Sequence, residues 1–441
     1  MFPSRRPPLA ERCFTSVAVE QCITRLTGRL RGDPELAWLF ANCFPNTLDT
    51  TVRVGTDETG RPDTFVVTGD IPAMWLRDST AQVWPYLPLA REDTALRGLL
   101  VGVINRQVRC VLLDPYANAF EPDPAACHWA SDHTAMRPGV HERKYELDSL
   151  CAVLRLSRGY HAATGDTDPF DSCWLEALDL ILATLRQEQQ GNVGDGEPPY
   201  MFARTTTNAT ETLALYGRGH PARPCGLIRT AFRPSDDAAL LPYHIPANAM
   251  ATVELRAVAA LLAGPLNQPE RARAAAVLAD EVDTAIRAHG VMQHPACGEV
   301  YAYEVDGYGS AYFMDDANVP SLLSLPYLGY VQASDPLYQA TRRAVLGPHN
   351  PYHFTGRAAA GVGGPHIGLG HVWPLSILMR GLTSQDGAEI HECLETLKRT
   401  HAGTGFMHEA FWKDDPGRFT RPWFAWANTL FGELVLHAEG W

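Results

Sequence analysis

The 441-residue chain is short of most features that would assign a function quickly. It has no cationic excess: 37 Lys and Arg stand against 50 Asp and Glu, a formal net charge of −13. With no surplus of positive charge to displace counterions from a phosphate backbone, a nucleic-acid partner is disfavoured and a neutral one suits better. No apolar run approaches the ~18 residues of a membrane span. The longest, around 257–266, is broken by Gly264-Pro265. The N-terminal MFPSRRPPLAERC has basic residues with no apolar stretch behind them and does not read as a secretory leader. The expectation is a soluble, cytoplasmic protein with no membrane partner.

Metal and nucleotide signatures are missing too. There is no CxxC and no HExxH, and His366 and His371 are five apart, the wrong step for two ligands on one helical face. No GxxxxGK[ST] occurs, nor a GxGxxG ahead of a helix; the Gly-rich 361–364 continues into Pro365-His366 with no lysine. No metal and no cofactor are therefore expected. Of the ten cysteines, Cys22, Cys110, Cys151, Cys173 and Cys393 fall within helix-like apolar patterns. They read as scattered buried thiols of a reducing compartment rather than a disulfide set. Hydrophobic residues make up 46% and charged residues 20%, enough for a large core and against wholesale disorder.

What is present recurs. Six times a loop rich in Gly, Pro, Asp and aromatics delivers a polar cluster and then enters an apolar, helix-like segment. These loops are 69–79, 144–149, 232–238, 313–318, 366–373 and 420–428. Between them lie more polar helical patterns at 172–188, 270–289 and 388–400, with charges on one side and Leu, Ala and Ile on the other. Strand signals are sparse: 51–54 with 64–68 reads as a hairpin, and little else alternates. An α-solenoid would have shorter and more uniform repeats. The pattern instead predicts an all-α fold of six inner and six outer helices closing into a ring, with minor β-hairpin elements. No linker divides the chain, so 1–441 is expected to form a single catalytic domain.

In such a ring the third and sixth loops face each other across one mouth. The third carries Asp236-Asp237, and Glu409 precedes the sixth helix in the Gly-rich, aromatic segment 401–411. Two opposed carboxylates suit glycosidic cleavage, one protonated toward the leaving oxygen and one ionised on the other face of the sugar. Each Asp has a structural alternative, because Asp at a helix start is commonly an N-cap; this covers Asp78, Asp148 and Asp316 as well. Glu409 is harder to dismiss, since a charge among Met407, Phe411 and Trp412 is costly unless used or paired. Trp75, Trp373, Trp423 and Trp426 all sit at loop–helix junctions beside Arg77, His371 and Arg421, where flat rings can stack on a pyranose. Trp174, within a helical pattern, reads as core.

The segments GDIPAMWLRDSTAQVWPYL (69–87), KYELDSL (144–150), FRPSDDA (232–238), IPANAMA (245–251) and GFMHEAFWKDDPGRFTRPWFAWANTLFGE (405–433) resemble glycoside hydrolase family 125. The resemblance spans roughly 40–435. It implies an (α/α)6 barrel and a metal-independent, inverting exo-α-1,6-mannosidase releasing terminal mannose from an α-1,6-linked mannoside or mannose-containing glycan. Carried over by motif, the general acid lies in RPSDD, as Asp236 with Asp237 the alternative, and the general base is Glu409. Trp75, Arg77, Asp78, Asp237, His371 and Trp373 become substrate-binding residues. An acid must be protonated at working pH, so its pKa is expected to be raised. Should the donor lie outside the motif, Glu146 or Asp316 is next. Two positions depart from the family pattern, Ala247 and Ala410, each where Ser is usual. The alternatives are an inverting α-glucosidase on the same barrel, a sugar epimerase on a related one, and a binding protein that has lost catalysis; the last should lack one carboxylate, and both are here.

Overall fold

The computed structural model describes residues 2–193 and 198–441. Helices dominate. Six of them follow the six polar loops, five of which reach the lining of one cavity, and are called the cavity-side helices: Leu76–Val83, Leu147–Thr164, Ile245–Ala263, Leu325–Leu328, Pro374–Leu382 and Ala425–Ala438. Leu76–Val83 packs on Leu147–Thr164, which packs on Ile245–Ala263, which packs on Leu325–Leu328. Pro374–Leu382 packs on Ala425–Ala438, and that helix returns to Leu76–Val83. The helices Thr94–Leu113, Ser172–Glu188, Pro269–His289, Pro336–Val345 and Gly387–Thr400 alternate with these in sequence. Val17–Arg29 and Pro34–Cys43 complete the flank beside the last cavity-side helix.

The two sets are built differently. In Ser172–Glu188 the buried residues Trp174, Ala177, Leu178, Ile181, Leu182 and Leu185 follow the 3–4 step of one helical face. Trp174 is core, its Nε1 donating to Ser157 Oγ at 3.0 Å. Leu147–Thr164 is buried without a break from Leu147 to Ser157, as a helix wrapped on all sides must be. The set also differs at its starts. Asp33, Asp93, Asp171, Asp335 and Asp386 each accept backbone N–H groups at the start of a flanking helix. Trp75, Glu146, Ser324, Trp373 and Phe424 begin cavity-side helices with no side-chain cap, and of that set His244 alone caps.

Three expectations need correction. Ile245–Ala263 is long and apolar enough to cross a membrane, with a mean hydropathy of 1.3, which the search for apolar runs overlooked. It packs between Leu147–Thr164 and Pro269–His289, 78% of that stretch is buried, and Glu254 inside it takes Arg155 and Arg158. The apolar stretch after 318 is helical only over Leu325–Leu328: Pro326 falls in its first turn, where a missing N–H is tolerated, and Gly329, left-handed at φ +86°, ends it. Cys173 is exposed at a helix start, although Cys22, Cys110, Cys151 and Cys393 are buried; all ten cysteines are free.

Strands are more numerous than the alternation suggested, and most have two to five residues, too short to leave a period. The expected hairpin is there, as Val52–Thr56 paired with Pro62–Val66. Three small antiparallel sheets matter more: Met74–Trp75 with Ala119–Phe120 and Val140–Glu142; Tyr243–His244 with Glu304–Val305 and Ala311–Tyr312; and His371–Val372 with Phe411–Trp412 and Asp415–Phe419. Each lies immediately before a cavity-side helix and pins distant chain segments at its start.

Candidate active site

The polar loops converge on one small cavity. Its lining comes from five of the six loops and the segments beside them: Thr68, Ile71, Trp75, Arg77 and Asp78; Pro234, Ser235 and Asp236; Asn318; His366 and Trp373; and Glu409, Arg421, Phe424 and Trp426.

One wall is organised by Arg77. The sheet containing Met74–Trp75 brings Asn118, Glu142 and Glu146 beside it. Arg77 Nη1 donates to Glu146 Oε2 at 2.6 Å and to Asp148 Oδ2 at 3.1 Å, and Nη2 donates to Asp236 Oδ1 at 3.0 Å. Its Nε lies 3.6 Å from Asp78 Oδ2. Asn118 Nδ2 reaches Glu142 at 3.1 Å and both Glu146 Oε1 and Asp236 Oδ1 at 3.4 Å. Asp148 therefore serves Arg77 rather than capping its helix.

Asp236 sits at φ +64°, in the left-handed region, where Asp is among the few non-glycine residues tolerated. The loop is held in this shape from behind. Arg233 is gripped by Glu304, with Nε at 2.6 Å and Nη2 at 3.0 Å, and Glu304 Oε2 also accepts the Leu240 and Leu241 N–H groups. Burial opposes ionisation of Asp236, but Arg77, a hydrogen bond with Glu146, Lys144 and His366 outweigh it and hold its carboxyl below the usual aspartate range. Glu146 goes the other way: burial, despite Arg77, and the negative charge of Asp236 push it well above an ordinary glutamate. The raised pKa expected at Asp236 is thus found on its neighbour: of two carboxyls meeting the same Arg77 fork, the more deeply buried one is the harder to ionise. Burial likewise lifts Asp78 to about 6 against the pull of Arg77.

Across the cavity, Glu409 is 4% exposed. The hairpin of Phe411–Trp412 and Asp415–Phe419 folds Thr420 back onto it, and Thr420 Oγ1 donates to Glu409 Oε2 at 2.7 Å. Arg421 Nε lies 3.5 Å from Oε1. Trp75 and Trp373 both line the cavity, and among the described residues neither buried indole Nε1 has a hydrogen-bond partner. Each can donate to a ligand oxygen.

Two of the expected binding residues lie elsewhere. Asp237 is fully buried behind the loop, accepting from Ser235 Oγ at 3.3 Å and bonded to His366 Nδ1 at 3.2 Å. His371 is absent from the lining; it pairs with Trp412 across the sheet and meets that ring edge-on at 5.4 Å. The histidine in the cavity is His366, which sequence reasoning weighed solely as a metal ligand. Burial disfavours its charge, but Asp237, Asp236 and Glu409 raise it to about 9, so it is an imidazolium at neutral pH. Glu211, Asp237 and His366 bring ligand atoms within 4.8 Å of one another. An imidazolium committed to Asp237 has no lone pair to offer an ion, so the trio makes a poor metal site. Asp316 bonds the Asn318 backbone and side chain at 2.9 and 3.0 Å and is outside the lining.

A pocket lined by carboxyl groups from separate loops and by indole rings is the equipment of a glycoside hydrolase. The comparisons agree. The chain is 47% identical over 450 aligned residues to the meiotically up-regulated gene 157 protein of Schizosaccharomyces pombe, covering 99% of this chain and 88% of that one. A Streptococcus pneumoniae metal-independent α-mannosidase, solved in a non-productive complex with α-1,6-mannobiose, superposes with a TM-score of 0.91 at 41% identity, over 97% of this chain and 99% of that one. A bacterial glucoamylase complexed with acarbose reaches 0.58 at 14% identity, over 95% of this chain and 57% of that one, a likeness of fold alone. Residues 33–436 match the metal-independent α-mannosidases, and the chain belongs to that family, glycoside hydrolase family 125.

Proposed function

We propose that this α-mannosidase is an inverting, exo-acting enzyme specific for α-1,6-linked mannose, built as a single (α/α)6 barrel domain with the six cavity-side helices inside. The observation that carries this reading is that Asp236 and Glu409 line the same small cavity from loops far apart in the chain. Asp236 protonates the glycosidic oxygen, and Glu409 takes a proton from a water that attacks the anomeric carbon from the opposite face. Inversion asks for ~6.5–9.5 Å between the two carboxyl groups, room for that water. Thr420 aims Glu409, its hydroxyl donating to Oε2. Trp75, Trp373 and Asp78 bind the terminal sugar, His366 supplies a charged donor, and Arg77 works mainly by arranging the acidic wall. The α-1,6 preference draws on the mannobiose bound by the Streptococcus pneumoniae relative.

Incubation with α-1,6-, α-1,3- and α-1,2-mannobiose, followed by NMR of the first product formed, tests the whole reading. Mannose released from the 1,6 isomer and appearing first as the β-anomer is the expected result. The α-anomer would overturn inversion, and equal cleavage of all three would overturn the linkage preference.

A further inference from the structure

The acidic wall poses a chemical problem. A general acid has to carry a proton, yet the carboxyl facing the cavity is the one its surroundings hold ionised. Asp236 keeps 22% of its side chain exposed, whereas the Glu146 side chain has none. The two are in direct hydrogen-bond contact. They also occupy the two arms of one guanidinium fork, Arg77 Nη1 on Glu146 and Nη2 on Asp236, and share the amide of Asn118. Ser149 Oγ, 2.8 Å from Glu146 Oε2, and Asp148 complete the surroundings of Glu146. Lys144 and His366 face Asp236.

From this geometry we infer that Glu146 and Asp236 hold one proton between them and act as a single acid, in which Glu146 is a positioning residue that hands the proton to Asp236 as Asp236 delivers one to the glycosidic oxygen. The inference rests on the reading of Asp236 as general acid. The step balances. The proton leaves a Glu146 carboxyl oxygen for Asp236, and Asp236 releases a proton to the leaving oxygen. That oxygen departs with the electron pair of its bond to the anomeric carbon, and the attacking water loses its proton to Glu409. Glu146 ends ionised, where Arg77 Nη1 and Ser149 stabilise it, and Glu409 ends protonated; exchange with solvent restores both. The arrangement resolves the conflict between binding and chemistry. An ionised Asp236 fits the cationic ring of Arg77, Lys144 and His366 at rest, and the proton is stored one hydrogen bond away, out of contact with water.

The test compares Glu146→Gln, Glu146→Asp and Asp236→Asn on α-1,6-mannobiose and on 2,4-dinitrophenyl α-mannoside, whose leaving group needs little protonation. Glu146→Gln and Asp236→Asn should each lose ~10²–10⁴-fold on mannobiose and less than about tenfold on the activated substrate. Glu146→Asp, with a carboxyl one methylene short, should lose less on mannobiose and show the same sparing. Turnover of the activated substrate reports folding at once, and the Glu146→Asp enzyme supplies the comparison if Glu146→Gln does not fold. A Glu146 variant that loses both substrates equally, or keeps full mannobiose activity, overturns the shared proton while leaving Asp236 as the acid. Absence of sparing in Asp236→Asn overturns the acid assignment itself.

Discussion

His366 Nδ1 lies 3.2 Å from Asp237 Oδ1, and the two residues are 129 positions apart in the chain. The pair joins the loop of Asp236 to the loop ahead of Trp373, and it carries a pH signature. The folded-state pKa of His366 is raised from 6.5 to about 9. Its stabilising contribution is thus complete below 6.5 and disappears as pH rises through about 9. Urea denaturation of wild type and His366→Gln should show a gap of at most ~3 kcal/mol at pH 6 that closes by pH 10. A gap that is constant with pH would contradict a charged His366.

Glu409→Gln should abolish turnover and keep sugar binding, because the amide has nearly the same shape but cannot accept a proton from water. A loss of ~10²–10⁴-fold in kcat is expected, with mannose affinity by calorimetry changed little. A loss below about tenfold would remove Glu409 from the base role.

Exhaustive treatment with EDTA should leave activity on mannobiose intact. Glu211, Asp237 and His366 cluster closely enough to hold an ion, so the experiment is a real risk to the reading of His366 as a cation. Inactivation by chelation, reversed by Zn²⁺ or Ca²⁺, would show a metal mechanism instead.

Glu304→Gln tests the support of the acid loop. It leaves the Arg233 guanidinium, 2% exposed, without its counter-charge. Breaking a buried pair in this way costs ~3–5 kcal/mol, readable as a lower urea midpoint, and should reduce turnover because Asp236 rides on the same loop. Unchanged stability would mean that the pair contributes nothing net.

The parts of this molecule that were legible in its sequence are those governed by local rules. Ser172–Glu188 was read to the residue, because Asp171 caps it and its apolar residues repeat with the helical step. Asp236, Glu409, Trp75 and Trp373 were found because loop–helix junctions and motif resemblance both point to them. His366 was passed over since its meaning depends on Asp237 in another loop, and no periodicity links the two. His371 was overvalued for the opposite reason: it is adjacent to Trp373 in the chain, but pairing with Trp412 turns it away from the lining. Glu146 was held as a reserve acid, and its contact with Asp236 depends on two-residue strands that leave no pattern.

The uncapped starts of the cavity-side helices make the molecule thermodynamically lopsided. An Asp or Ser in place of an ordinary starting residue is worth ~1 kcal/mol to a helix. Trp75, Trp373 and Phe424 forgo it, while five flanking helices take it through Asp. Several kcal/mol of attainable stability is therefore missing around the cavity. Mutations that harden the protein should accumulate easily on the flanking helices, whereas at the cavity each added cap would replace a side chain of its lining.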